Sequence, residues 1–497
     1  MTTTTLARNV IVAVWQIVVT GIILIVLYRL LLLQIGIYQL GIWSMVTAVA
    51  SSAGIAQLGL GGSVVKFVSR YLAHSDSASA IRVIQTAAIS TAVLLFVGGL
   101  LLYPVLHWIV GKVVDSESVK IAHEILLLSL TVVWINTVAG VFQSGLDGAQ
   151  RIDLRGYAVM SGSLIYLLCV YILVPIYGLT GLLYSQIVQA CFLLVAGLVM
   201  LGYIFRKSTL LPGCWEKSVF RDMLGYGVPF QIISLAQIYT DPITKVLLGY
   251  FGGLSAVGYY EMANRIVMQL RTLFVAANQV LIPVVSTINE KPGSGLVRLY
   301  QKSFRVTFFI AVPFFALVVS LSPLISELWI GSYEQVFVFS VCLLAISRCI
   351  NTLSAPSYFS YLGTGSLRPV VTGHVYITFL NVLLGVIGGM TVPGIGVVLG
   401  WSLALSVGTM YVVVTFHKEH EITLKQMLSG MDITLLVSSV CVSLVCFGAY
   451  QSEVVQSSGL AGVGAVVALF VIVILPIMRK NPIFPEVLDA VIHRARG

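Results

Sequence analysis

Chemistry in this chain has to come from charges placed where charges are costly. Arg29, Asp241, Lys245, Glu261, Arg265, Arg271 and Arg348 each fall inside a long apolar run. A charged side chain at the centre of a helix in hydrocarbon costs at least about 2.5–3.5 kcal/mol, so such residues tend to mark substrate paths, relays or neutralised pairs. Ser234, Gln237, Asp241 and Lys245 recur at three- and four-residue spacing, hence on one helix face. Glu261, Asn264, Arg265, Arg271 and Asn278 form a comparable stripe on the next helix. Lipid cannot satisfy a polar stripe, so both must face protein or water. Pro229 and Pro242 interrupt the first of these helices, and Asp241-Pro242 predicts a kink or break near mid-membrane.

Two readings of these charges stand side by side. Asp241 with Lys245, and Glu261 with Arg265, have the i,i+4 spacing of neutralising ion pairs. Arg29, Arg271 and Arg348 have no acid one turn away, and for Arg29 and Arg348 the alternative is snorkelling to the headgroups. Arg271 is the strongest single candidate for a substrate path. Five bases against two central acids leave the interior net positive. The planar fork of arginine suits phosphate, so the expected ligand is phosphorylated. No nucleophile–base constellation, metal-ligand spacing or cofactor motif accompanies these charges, and the expectation is no catalytic residue, no metal and no cofactor. Of the dispersed histidines only His374 lies deep in an apolar run, where packing is favoured over proton relay. Gly59-Leu60-Gly61-Gly62 lacks the strand context of a phosphate loop and reads as a helix end. The seven cysteines are odd in number and, apart from Cys214, sit in apolar runs, which argues against a disulfide framework.

The elements that carry these residues follow from hydropathy. Hydrophobic residues make up 58% and charged residues 9%, with a mean hydropathy of +1.00, where soluble domains carry about 25% charge. Apolar runs of about 20 residues, each able to cross a core of about 30 Å, recur along the chain. The expected fold is an all-α polytopic membrane protein of about fourteen transmembrane helices. The crossings run near 10–33, 38–61, 82–105, 119–145, 157–175, 177–204, 224–251, 258–285, 303–326, 335–361, 370–391, 394–416, 431–450 and 459–479. The first lacks a small-residue cleavage site and reads as a retained helix rather than a signal peptide.

The net charge of +9 is a matter of topology. Bases cluster in alternate connections: Arg8; Lys66, Arg70 and Arg82; Arg151 and Arg155; Arg206, Lys207, Lys217 and Arg221; Lys291, Arg298, Lys302 and Arg305; Arg368; Lys418 and Lys425; and Arg479, Lys480, Arg494 and Arg496. The opposite side holds only Lys112 and Lys120. The positive-inside rule then puts both termini in the cytoplasm and requires an even number of crossings. No nucleic-acid partner is implied.

An internal repeat divides the chain. Ile135-Asn136-Thr137 recurs as Ile350-Asn351-Thr352 at an offset of 215, which also aligns Gly148 with Gly363 and Gly181 with Gly396. Gly36, Gly41 and Met45 match Gly253, Gly258 and Met262 at an offset of 217. The expected organisation is an N-terminal six-helix lobe (1–205), a cytoplasmic linker (206–223), a C-terminal six-helix lobe (224–416), an additional helix pair (417–479) and a cytoplasmic tail (480–497). Such repeats are common in secondary transporters, with the substrate between them.

The stretch GLGGSVVKFVSRY, the segment YGVPFQIISLAQIYTDPITKVLLGYFGGLSAVGYYEMANRI and AANQVLIPVVS after it resemble the polysaccharide (O-antigen/exopolysaccharide-type) flippases of the multidrug/oligosaccharidyl-lipid/polysaccharide exporter superfamily. The resemblance covers roughly 1–416. It implies two six-helix bundles in a V, alternating access, and a cationic lumen around Arg29, Asp241, Lys245, Arg265 and Arg271. The implied substrate is an undecaprenyl-diphosphate-linked oligosaccharide, flipped from the cytoplasmic to the external leaflet of the cell membrane. Implied partners are membrane lipids and other polysaccharide-assembly membrane proteins. The pair after 430 departs from the twelve-helix pattern; fourteen-helix members of the superfamily include lipid II flippases, where the added pair shapes a lipid-binding groove. Here it carries no arginine cluster, and groove and packing roles both stand.

Two rivals remain. A cation-coupled multidrug extruder of the same superfamily wants cavity acids without matching bases; Asp241 and Glu261 could serve, though bases surround them. A membrane-embedded polysaccharide polymerase or glycosyltransferase needs large loops and a general acid–base pair, and the longest external connection is His107–Ser118.

Overall fold

In hydrocarbon every backbone N–H and C=O must be satisfied within its own segment, so apolar runs of this length close into helices. The computed structural model describes residues 3–57, 59–205, 213–279, 281, 284–285, 295–450 and 460–485, with the side chains of 3–11, 14, 55–57, 226–238, 424 and 460 outside that description. Of the residues singled out above, the side chains of Arg8, Pro229, Ser234 and Gln237, and Arg206, Lys207, Lys291, Arg494 and Arg496, therefore lie outside it. In order, the helices are α1 (Thr3–Ser51), α2 (Leu60–Ala73), α3 (Ser77–Val113), α4 (Val119–Gly148), α5 (Ile152–Tyr177), α6 (Leu179–Phe205) and α7 (Lys217–Gln279). They continue with α8 (Gly295–Trp329), α9 (Gln335–Leu353), α10 (Ala355–Thr364), α11 (Arg368–Thr391), α12 (Ile395–Glu419), α13 (Leu424–Met427), α14 (Gly430–Ala449) and α15 (Leu460–Lys480). Among the described residues eleven stretches are long and apolar enough to span a bilayer.

The chain forms two compact units, Met1–Gly258 and Tyr259–Gly497. In the first, α2, α3, α4 and α6 enclose a core of Leu60, Ile84, Phe142 and Leu201, all at most 1% exposed. The start of α7 belongs to this unit: Trp215 Nε1 donates to Ser90 Oγ at 3.0 Å and Ser63 Oγ donates to Met223 O at 2.8 Å. Part of the stretch expected as linker is thus helical and docked. Asp76 caps α3, its carboxylate accepting from Ser79 N at 2.9 Å, and hydrogen bonding from the Ser79 side chain and then its backbone holds the Asp76 pKa below the usual range. In the second unit α14 and α15 pack on α8 through Phe309, Leu324, Leu435 and Phe470. The capping box of Ser429 and Asp432 starts α14, and Asn481 Nδ2 ties it to the end of α15 by donating to Asp432 Oδ1 at 2.8 Å.

The sequence repeat is a backbone repeat. α1 turns a corner at Gly36 (φ 78°, ψ 169°) and α7 turns the same corner at Gly253 (φ 79°, ψ 167°). This region of dihedral space is essentially reserved for glycine. Beyond each corner comes a close approach. A Cβ on Gly41 would stand 1.8 Å from Leu254 O, and one on Gly258 would stand 2.4 Å from Ile37 O. At the offset of 217, Ile37 corresponds to Leu254 and Gly41 to Gly258, so each contact is the image of the other, as across a two-fold axis.

Three local expectations change. The backbone stays helical through Asp241-Pro242, and the only break inside α7 is at Gly253. Proline's φ fits a helix, and the carbonyl it leaves unbonded can be satisfied by neighbours, whereas the glycine dihedral cannot be helical. The crossing expected at 335–361 is two helices, because Pro356 at the first turn of α10 starts a new segment after Ser354. Gly59, in the left-handed region at φ 69°, is the N-cap of α2.

Candidate functional site

The seven intramembrane charges fall into three local arrangements. On the first arm of α7, Lys245 Nζ lies 2.7 Å from Asp241 Oδ2; the lysine side chain is 4% exposed and the aspartate 44%. On the second arm, Arg265 Nε donates to Glu261 Oε1 at 2.6 Å, and here the acid is 1% exposed and the base 49%. Both expected i,i+4 pairs therefore form, with opposite polarity. Each buries one charge that would be expensive to leave unpaired and presents its partner to the surroundings. The presented groups are the carboxylate of Asp241 and the guanidinium of Arg265.

The third arrangement lies in the second unit and was only half visible in the sequence. Arg271, on α7, carries a buried Nε with no hydrogen-bond partner. The ionisable groups that act on it are Arg348 of α9, His374 of α11 and the phenol of Tyr358 on α10, none of them a carboxylate. Arg348 stacks over the Trp401 ring of α12, 5.5 Å from its centroid. Tyr358 and His374 meet edge to face at 6.1 Å. Five helices thus bring two guanidinium groups and an imidazole into one neighbourhood. Asn351 Oδ1 and Thr352 Oγ1, one turn along α9 from Arg348, and Trp401 Nε1 and Ser402 Oγ on α12 are also buried without partners.

Such an arrangement is unfavourable when empty. A buried N–H with no acceptor forfeits its desolvation, about 1–3 kcal/mol and more for a charged group. Two like charges in a low dielectric add repulsion. An anion with several acceptor oxygens relieves both, and guanidinium takes phosphate in a bidentate grip. The unpartnered amide, hydroxyl and indole groups nearby can bond hydroxyls or water.

The structure brings Arg271 and Arg348 together and joins Asp241 to Lys245 and Glu261 to Arg265. Arg29 lies on the first arm of α1, half-buried, beside Tyr28, whose ring meets Trp43 at 6.4 Å. It belongs, with Asp241 and Lys245, to the first unit. Sequence reasoning missed Trp401 and Tyr358. Their signal was weak, since one aromatic residue in an apolar run looks like core; an arginine without an acid one turn away could have prompted a search for an aromatic partner. Among the described residues no group of three or more metal-ligating side chains occurs.

The pattern that defines the family described as "Polysaccharide biosynthesis protein" matches residues 6–289, more than half the chain. A curated relative, the probable flippase AglR of Haloferax volcanii, is 23% identical over 286 residues, covering 56% of this chain and 55% of that one. The chain thus spans about half the length of the curated relative it matches. Among solved structures, the lipid II flippase MurJ in an inward closed conformation superposes with a TM-score of 0.72 at 12% identity, covering 97% of this chain and 99% of that one. An inward-facing multidrug resistance MATE family transporter of the MOP superfamily gives 0.69 at 16% identity, covering 81% and 94%. At these identities the likeness is one of fold. The protein is multi-pass, all-helical in its described membrane segments, and shares its fold with these two solved proteins.

Proposed function

The chain belongs to the polysaccharide biosynthesis protein family, and we propose that it flips a lipid-linked, undecaprenyl-diphosphate oligosaccharide from the cytoplasmic to the external leaflet without altering it chemically. The observation that carries the reading is Arg271, a buried guanidinium whose Nε has no partner and whose charged influences among the described residues are a second arginine, Arg348, and the phenol of Tyr358. In this reading the chain has fourteen crossings and cytoplasmic termini, with the repeat forming two six-helix lobes. Arg29, Asp241, Lys245, Glu261, Arg265, Arg271 and Arg348 belong to a cationic lumen, Lys245 and Glu261 as the buried partners of Asp241 and Arg265. The diphosphate docks on Arg271 and Arg348, the sugars occupy the wet interior, and the lipid tail stays in the bilayer. Alternating access follows from differential affinity: repulsion among the bases resists closure of the empty lumen, and the anionic head relieves it. The name of AglR, a probable flippase, supports flipping, and that of MurJ, a lipid II flippase, supports a lipid-linked cargo.

The MATE likeness supports a second reading, a cation-coupled extruder centred on the exposed carboxylate of Asp241. One experiment separates the two. In a strain depleted of the protein, lipid-linked oligosaccharide is followed by leaflet accessibility. Accumulation on the cytoplasmic side, reversed by the intact gene and not by an Arg271→Ala copy, is the expected result. Normal leaflet distribution with new sensitivity to cationic dyes would replace the flippase with the extruder.

A further inference from the structure

The second unit holds a cavity of about 700 Å³ that the proposed transport path does not use. Its size falls within the range of about 300–1,000 Å³ typical of ligand sites. It lies between α8, α9, α12 and α14, and its wall is apolar almost throughout: Phe308, Phe315 and Val319 of α8 face Leu436, Val440 and Leu444 of α14. Along α8 the lining runs from Phe304 to Val319, about 22 Å of helix at 1.5 Å per residue. That is long enough to take a hydrocarbon chain through one leaflet of a core about 30 Å thick.

Two features identify an occupant. The first is the chemistry of one end, where His417 and Met427 close the lining. There Arg305, next to Phe304, donates from Nε to Met427 O at 3.2 Å and from Nη2 to Gln426 O at 2.9 Å, which fixes its guanidinium at the rim. Lys302, Lys418 and Lys425 stand exposed on the same segments, on the side that the positive-inside pattern puts in the cytoplasm. The second is separation from the arginine cluster. The lining residues of α9, including Cys342, Ile346, Cys349 and Leu353, form one face, and at 3.6 residues per turn Arg348 is on the opposite face. A head group held at Arg271 and Arg348 therefore has α9 between itself and this cavity, which points to a separate occupant.

We infer that the cavity seats an acyl chain of an anionic glycerophospholipid from the cytoplasmic leaflet, its phosphate held by Arg305 with Lys302 and Lys425. Basic pockets at the cytoplasmic ends of transmembrane helices take such head groups, and each buried methylene adds to the binding.

The full chain, purified in detergent, is analysed by native mass spectrometry with added phosphatidylglycerol or phosphatidylcholine of identical acyl chains, and with undecaprenyl phosphate as competitor. The expected result is one phosphatidylglycerol retained per chain in preference to phosphatidylcholine. Lys302→Glu with Lys425→Glu, both on the surface, lowers that preference at least about fivefold. Ala316→Phe with Val440→Trp fills the cavity and abolishes retention. Equal retention of the two phospholipids, a preference unmoved by the surface reversal, or lipid still held by the filled variant would overturn the inference. Displacement of phosphatidylglycerol by undecaprenyl phosphate, lost in the filled variant, would give the cavity to the tail of a transported lipid instead. Lipid retention is read without transport, so it stands or falls apart from the flippase reading.

Discussion

The two halves of the repeat share their glycines and differ in their charges. At an offset of 217, Gly36, Gly41 and Met45 have their images in Gly253, Gly258 and Met262, while Asp241, Lys245, Glu261, Arg265 and Arg271 correspond to Leu24, Tyr28, Ser44, Ala48 and Gly54. At 215, Arg348, His374 and Trp401 correspond to Val133, Val159 and Gln186. Arg29, the one candidate charge of the first half, corresponds to Val246. The glycines that repeat at 217 stand where the backbone needs them: a corner with φ near 78° and an approach that no Cβ could survive. Positions that do not repeat carry ionisable groups into hydrocarbon, where stability alone disfavours them. The scaffold is duplicated and the chemistry is added almost wholly to one copy. Even the local polar contact changes: Trp43 Nε1 donates to Gln186 Oε1 at 3.4 Å in the first half, whereas the counterpart of Gln186 is Trp401, which stacks under Arg348.

The largest effect that could break this comparison is steric. Gly41→Leu and Gly258→Leu each drive a side chain into a carbonyl, at 1.8 and 2.4 Å from the first added carbon. Both should abolish recovery of monodisperse protein on size-exclusion chromatography. Tolerance at one site and collapse at the other would show that the symmetry is not shared energetically.

Next come the ion pairs, where polarity makes an asymmetric forecast. Asp241→Ala takes the carboxylate from a buried ammonium and should destabilise by about 3–5 kcal/mol, with Lys245→Ala costing less. On the second arm the order reverses: Arg265→Ala, which takes the base from buried Glu261, should cost more than Glu261→Ala. Thermal unfolding in detergent measures all four, and a common order in both pairs would contradict the burial pattern.

Smaller still, Gly36→Ala and Gly253→Ala place a Cβ at a glycine-only dihedral, for about 1–3 kcal/mol each. Similar losses in unfolding midpoint are expected, since the two corners agree within a few degrees.

Much of this was legible in the sequence because membranes simplify the problem. Apolar length gave the helices, and the spacing of Asp241 with Lys245 and of Glu261 with Arg265 gave both pairs. The glycine matches carry the repeat. What stayed hidden depends on neighbours distant in the chain. Pro242 looked like a break, yet the break is at Gly253, because a proline can be carried by a helix and a mirror-region glycine cannot. In the sequence Arg271 and Arg348 stand as separate candidates, and their neighbourhood with His374, Tyr358 and Trp401 needs five helices in place. The residues that wall the cavity beside α14 read as ordinary core in the sequence.

On the proposed function, charges which break the repeat serve the cargo at the expense of the fold. This claim is tested most directly by a paired measurement on Arg271→Ala: flipping of undecaprenyl-diphosphate oligosaccharide in proteoliposomes, and the thermal unfolding midpoint of the same preparation. Loss of charge-assisted hydrogen bonds worth about 1.5–3 kcal/mol predicts a fall in flipping of roughly 10- to 100-fold. Removing a buried guanidinium whose Nε has no partner predicts a midpoint unchanged or raised. A variant that flips normally but unfolds several degrees lower would contradict the claim and make Arg271 part of the scaffold.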